Sequence, residues 1–131
     1  MNFVVNKADL KPVQKFSHPE MTAKGEQRAK VDLNGLETLW FNTGTLCNLA
    51  CLNCYIESTP RNDRLVYLSQ IEVNNFLDEL LQSQNKTQEI GFTGGEPFMN
   101  PDFTGMLRSS LERGFNVLVL TNAMRPMMKC A

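Results

Sequence analysis

Phe115-Asn116-Val117-Leu118-Val119-Leu120-Thr121 reads as a β-strand, and its composition says what kind. The Val117–Leu120 run is apolar without alternation, the pattern of a strand covered on both faces in a parallel sheet. Before it, Glu89-Ile90-Gly91-Phe92-Thr93 makes a shorter strand broken by Gly94-Gly95. Earlier still, Leu36-Glu37-Thr38-Leu39-Trp40-Phe41-Asn42-Thr43 is rich in β-forming residues and bounded by Gly44, so it reads as the first strand. The Asn34-Gly35 turn precedes it, and Ala29–Leu33 alternates weakly enough to suggest one more short strand.

Helices fill the gaps. Ser69 and Glu72 have the spacing of a capping box, in which each side chain satisfies the other's free backbone N–H. Behind them Val73, Phe76, Leu77, Leu80 and Leu81 recur at helical spacing and form one apolar stripe, which should end near residues 84–86. Asn100-Pro101 looks like an N-cap followed by proline at the first helical position, where a missing N–H costs nothing. Phe103, Met106, Leu107 and Leu111 supply the buried face of that helix, and Gly114 suits the residue just past its end. The order strand, helix, strand, helix, strand predicts an α/β fold with parallel strands and right-handed crossovers.

Three strands and two helices are thin for an open sheet, and the last strand would present a naked edge. The sequence therefore reads as part of a longer barrel, or as a chain that pairs with something. Residues 1–35 read as an N-terminal extension, and 36–131 as the structured domain. His18, beside Pro19 in a polar stretch, reads as an exposed loop residue.

The chain has 131 residues, of which 42% are apolar and 21% charged. Thirteen basic side chains against fourteen acidic ones leave a net charge of −1. The basic residues are scattered, so neither nucleic acid nor an anionic membrane is expected as a partner. No apolar run approaches the ~20 residues of a membrane span, and the first residues lack the pattern of a secretory signal. A cytoplasmic location is expected. Thiols stay reduced there, and a tight group of cysteines points to a metal site rather than a disulfide framework.

Such a group is present. Cys47-Asn48-Leu49-Ala50-Cys51-Leu52-Asn53-Cys54-Tyr55 holds three of the four cysteines at C-x3-C-x2-C spacing. Thiolates are the ligands of iron–sulfur clusters, and three of them leave one iron of a four-iron cube without a protein ligand. The competing reading is zinc, or an electron-transfer cluster, with Cys130 as fourth ligand and no position left open. Buried cysteines acting only as small hydrophobes are the plain alternative.

The cysteine spacing, placed directly after a first strand and followed by Tyr55, resembles the signature loop of the radical S-adenosylmethionine (radical SAM) superfamily. Thr93-Gly94-Gly95-Glu96-Pro97, at the end of the second strand, resembles that family's Gly-Gly-Glu motif. On its own the run is a turn; alternatively its glycines let backbone approach a ligand closely and Glu96 offers a carboxylate. Thr121-Asn122-Ala123 partly resembles a Thr-Asn-Gly at the end of the third strand, with alanine in place of glycine. The residue before the last cysteine is often aromatic in the family; here it is Asn53.

The resemblance spans roughly residues 37–123 and implies the first three βα units of a partial (β/α)6 TIM-like barrel. It implies that Cys47, Cys51 and Cys54 hold a 4Fe–4S cluster, whose open iron is chelated by S-adenosylmethionine. Gly94, Gly95 and Glu96 would serve the methionine end of that cofactor, with Thr121, Asn122 and Tyr55 lining its pocket. It implies an enzyme whose reduced cluster cleaves the sulfonium to a 5′-deoxyadenosyl radical, which takes hydrogen from a substrate, peptide or small molecule. A flavodoxin or ferredoxin would be the reductant. Residues 1–131 alone are expected to assemble a labile cluster and to cleave S-adenosylmethionine poorly, because the family binds ribose and adenine with later strands.

Overall fold

The computed structural model describes residues 16–83 and 86–129. The chain divides into two compact units, Met1–Leu33 and Asn34–Ala131. In the first, an antiparallel bridge between Met21 and Gln27 closes a tight turn. Arg28 ties it down by donating from Nε to the carbonyl oxygens of His18 and Met21. His18 is exposed and accepts the N–H groups of Glu20 and Met21 on Nδ1. The short strand expected at Ala29–Leu33 is not formed. Val31 and Leu33 point into solvent, and weak alternation without a partner strand is not enough to hold an extended segment in a ladder.

The second unit is built on β1 (Thr38–Asn42), β2 (Glu89–Thr93) and β3 (Asn116–Val119). They form a parallel three-stranded sheet in the order β1-β2-β3. Helices α1 (Gln70–Gln82) and α2 (Phe103–Glu112) connect them, and a short helix α3 (Arg125–Met128) follows. Among the described residues no helix is long and apolar enough to cross a membrane.

The capping box at the start of α1 is complete: Ser69 accepts from the Glu72 N–H, and Glu72 accepts from the Ser69 N–H. The Ser69 hydroxyl, which also donates to the Glu72 carboxylate, and then the Ser69 N–H lower the Glu72 pKa from its ordinary value. The first helical N–H, that of Gln70, donates to Asp102 instead, so the loop before α2 helps cap α1. The helix ends at Gln82, slightly short of the expected 84–86.

Asn100 is not the N-cap of α2, which starts at Phe103 after Asp102. A short 3-10 turn, Pro97–Met99, comes first, and the buried Asn100 side chain crosses to other loops. It donates from Nδ2 to the carbonyl oxygens of Thr43 and Leu68 at 3.1 and 2.8 Å. Gly114, in the left-handed region at φ 86°, follows the last turn of α2 as expected.

One face of the sheet carries the core. Phe41, Ile90 and Phe92 pack against Val73, Leu77 and Leu80 of α1 and Phe103 and Met106 of α2. The aromatic rings pack in sequence: Phe41 stacks on Phe92 at 5.6 Å, and Phe92 meets Phe103 edge-on at 5.3 Å. Both apolar stripes are narrower than their sequence. Phe76 and Leu81 are half exposed, as is Leu111, because a three-stranded sheet is too narrow to cover a wide stripe. Ser109 and Ser110 are buried in their place, with hydroxyls bonded to the Gln70 amide and the Met106 carbonyl.

The third strand departs from expectation. It alternates instead of being covered on both faces: Val117 and Val119 pack on the core, while Leu118 is 41% and Leu120 54% exposed. The register places Trp40, Gly91 and Leu118 side by side. That second face has no helix on it among the described residues, so the apolar run is half solvated.

Candidate functional site

Parallel strands deliver all their carboxyl ends to one edge, where α/β folds place ligands. Here that edge gathers the cysteine loop after β1, the Gly-Gly turn after β2 and the Thr-Asn turn after β3. The cysteine loop leaves β1 with Thr43 still in the ladder, its N–H donating to the Thr93 carbonyl at 2.8 Å. A parallel bridge between Leu46 and Thr59 then closes the loop on itself.

The Gly-Gly turn is pinned to that loop. Gly95 N–H donates to Gly44 at 2.8 Å, and Glu96 N–H donates to Leu46 at 3.0 Å. A Cβ on Gly95 would overlap the Leu46 carbonyl oxygen and lie 2.9 Å from that of Thr45. Gly94 has a φ of 135°, and a Cβ there would meet the Gly44 carbonyl at 2.7 Å. The close approach that these glycines permit is therefore to the cysteine loop itself.

Glu96 is 1% exposed. Its carboxylate accepts the Asn122 N–H at 2.9 Å and the Phe98 N–H at 3.1 Å, and the Thr121 hydroxyl lies 2.8 and 3.0 Å from its two oxygens. The charge thus bolts the end of β2 to the end of β3. Asn122, held by this bolt, reaches back across the loop: its Nδ2 lies 2.9 Å from Asn48 Oδ1 and 3.9 Å from Cys47 Sγ. Tyr55 is exposed, with its hydroxyl 3.4 Å from Thr93 Oγ1.

Ala123, which stands where the resembled motif has glycine, adopts φ 54°. A left-handed alanine is strained by ~1–2 kcal/mol. Glycine would relieve that at an unfolded-state cost of ~0.4–1 kcal/mol. Ala123→Gly is therefore expected to stabilise the chain by about 0.5–1 kcal/mol, measured by urea unfolding.

The three thiols are free: Cys47 is buried, Cys54 half-buried and Cys51 exposed. Backbone N–H groups point at two of the sulfurs, from Leu49 to Cys47 at 3.4 Å and from Ser58 to Cys54 at 3.3 Å. The Ser58 N–H, followed by that of Ile56, holds the Cys54 thiol below its ordinary pKa. A thiol held toward thiolate, as Cys54 is, is what a metal ligand needs. Among the described residues no three His, Cys, Asp or Glu side chains gather as ligands to a single metal ion; a cubane instead takes one thiolate on each of three separate irons. Cys130 lies outside the described residues. A cavity of about 520 Å3, lined by Asn48, Phe98, Met99, Arg125, Pro126 and Lys129, opens beside the loop.

Ser58 was not singled out by its sequence context. It is 3% exposed, and its hydroxyl has no hydrogen-bond partner among the described residues. The hydroxyl lies close enough to Cys54 to help lower that thiol's pKa, yet makes no well-formed hydrogen bond, which fits a donor suited to a sulfur ligand.

The radical SAM superfamily model matches residues 41–129. The chain belongs to this superfamily. It is similar to the antilisterial bacteriocin subtilosin biosynthesis protein AlbA of Bacillus subtilis, at 30% identity over 93% of this chain and 25% of that protein. It is also similar to the S-adenosylmethionine-dependent nucleotide dehydratase of Selenomonas ruminantium, at 29% identity over 58% of this chain and 26% of that protein. The chain thus spans about a quarter of the length of these relatives. The crystal structure of Streptococcus suis SuiB bound to S-adenosylmethionine matches with a TM-score of 0.57 and 22% identity, covering 68% of this chain and 20% of that one. That match shows the fold: an open sheet of three parallel strands alternating with helices.

Proposed function

We propose that Cys47, Cys51 and Cys54 hold a 4Fe–4S cluster and that S-adenosylmethionine binds at its open iron. The observation that carries this reading is the loop itself. It sets three free thiols within eight residues at the carboxyl edge of a parallel sheet, with backbone N–H groups directed at two of the sulfurs. When bound, cluster and cofactor supply a 5′-deoxyadenosyl radical that abstracts hydrogen from a substrate. The protein supplies position and shielding.

In this proposal the Gly94–Gly95 backbone and the Thr121–Asn122 turn border the methionine end of the cofactor, and Tyr55 covers its flank. Glu96 acts through position, because its oxygens are enclosed by Thr121, Asn122 and Phe98. The cavity beside Asn48 has the size of an organic-ligand site. The substrate, peptide or small molecule, and the reductant, a flavodoxin or ferredoxin, belong to the same proposal, as does a cytoplasmic location.

Anaerobic reconstitution with iron and sulfide is expected to give a brown chain with about four irons and four sulfides, as the cubane requires. Cys51→Ala should lose that absorption. A colourless parent chain, or an unchanged Cys51→Ala spectrum, would overturn the assignment. Assay of 5′-deoxyadenosine release with a strong reductant tests cofactor cleavage, which is expected to be slow in these 131 residues.

A further inference from the structure

We propose that the Ser58 hydroxyl is a hydrogen-bond donor to a cluster sulfur at Cys54 and sets the cluster's reduction potential. The inference rests on the cluster reading above and deepens it.

Ser58 sits four residues past the last cysteine, where the loop doubles back toward Thr59 and its bridge with Leu46. Its backbone already faces the sulfur, the N–H standing 3.3 Å from Cys54 Sγ. The side chain of the same residue is 3% exposed and its Oγ has no partner among the described residues. Burying a hydroxyl without a partner costs ~1–3 kcal/mol, and native folds seldom leave one so. The other buried polar side chains around the loop are satisfied. Thr43 donates to the Thr93 carbonyl, Thr45 accepts the Leu65 N–H, and Asn100 donates to two carbonyls. The one donor of the loop without a well-formed bond is thus the hydroxyl against Cys54, and it already lies close enough to that sulfur to help lower its pKa.

A thiolate or inorganic sulfide is an acceptor of the right kind. One-electron reduction adds negative charge to the cluster, and an O–H directed at its sulfur stabilises that charge. The donor therefore raises the reduction potential, one of the levers by which proteins tune iron–sulfur centres. Asn122 Nδ2 stands 3.9 Å from Cys47 Sγ but is already engaged with Asn48. Ser58 is thus a positioning and tuning residue, with no bond to iron.

The test uses Ser58→Ala in the full chain, reconstituted anaerobically and titrated with dithionite under potentiometric control by electron paramagnetic resonance. Iron and sulfide content should match the parent. At a fixed potential the ratio of reduced to oxidised cluster should fall at least threefold, which is about 28 mV at 59 mV per tenfold for one electron. In the cluster-free chain the same variant should melt at or above the parent temperature, since it removes an unpaired buried hydroxyl. A merely structural serine would do the reverse, lowering the melting temperature and leaving the potential unmoved. An unchanged potential in a fully loaded variant overturns the inference alone. So does a melting loss or failure to fold. A parent chain that takes up no iron and sulfide overturns the cluster reading, and the inference with it.

Discussion

Gly95→Ala is expected to destabilise the chain by about 3 kcal/mol and, on the proposed cluster reading, to abolish its iron uptake. The added methyl has nowhere to go. It would overlap the Leu46 carbonyl oxygen and press on that of Thr45, and both atoms belong to backbone that cannot swing aside like a side chain. Relief requires the cysteine loop to lift from the end of β2. That breaks the Gly95–Gly44 and Glu96–Leu46 hydrogen bonds, each worth ~1 kcal/mol, in addition to ~1–3 kcal/mol of overpacking. Urea unfolding measures the first effect, and iron uptake on reconstitution measures the second. Gly35→Ala is the control: a Cβ there meets nothing within 4 Å, and its melt and iron content should match the parent.

Glu96→Ala should cost about 3–4 kcal/mol, again by urea unfolding. The truncation leaves the Phe98 and Asn122 N–H groups and the Thr121 hydroxyl without their acceptor, at ~1–3 kcal/mol for each buried group left unpaired. It also opens a small cavity. Glu96→Gln keeps one acceptor oxygen and the side-chain volume, so about 1–2 kcal/mol is expected. A double-mutant cycle with Thr121→Val separates the Glu96–Thr121 contact from the rest; coupling near zero would show that the two turns are held together by something else. If Glu96→Ala were as stable as the parent, the bolt between β2 and β3 would not exist in solution.

Both variants act on contacts between turns that are far apart in sequence, and this marks the limit of what residue order conveys. Strand and helix positions were legible because each rests on local chemistry. The Ser69–Glu72 box, the helical stripe through Val73, Leu77 and Leu80, and the Gly-bounded strand at Glu89–Thr93 are all set by neighbours a few residues apart. The alternation of elements then required parallel pairing, and the sheet has it. Exposure was less legible. Whether Leu118 and Leu120 are covered depends on what lies over the second face of the sheet, and no pattern within the strand carries that information.

By itself the sequence determined the three strands, the two connecting helices, their parallel order and the grouping of three cysteines, through short-range propensity and residue spacing. Only the tertiary structure decided what the motifs do for one another. It turned Glu96 away from solvent onto Thr121 and Asn122, brought Gly95 against Leu46, and left the Ser58 hydroxyl buried without a partner beside Cys54. The physical reason is that hydrogen-bond satisfaction and steric clearance are properties of three loops converging at one sheet edge. Their members are separated by tens of residues, and nothing in the local chain specifies which atoms will meet.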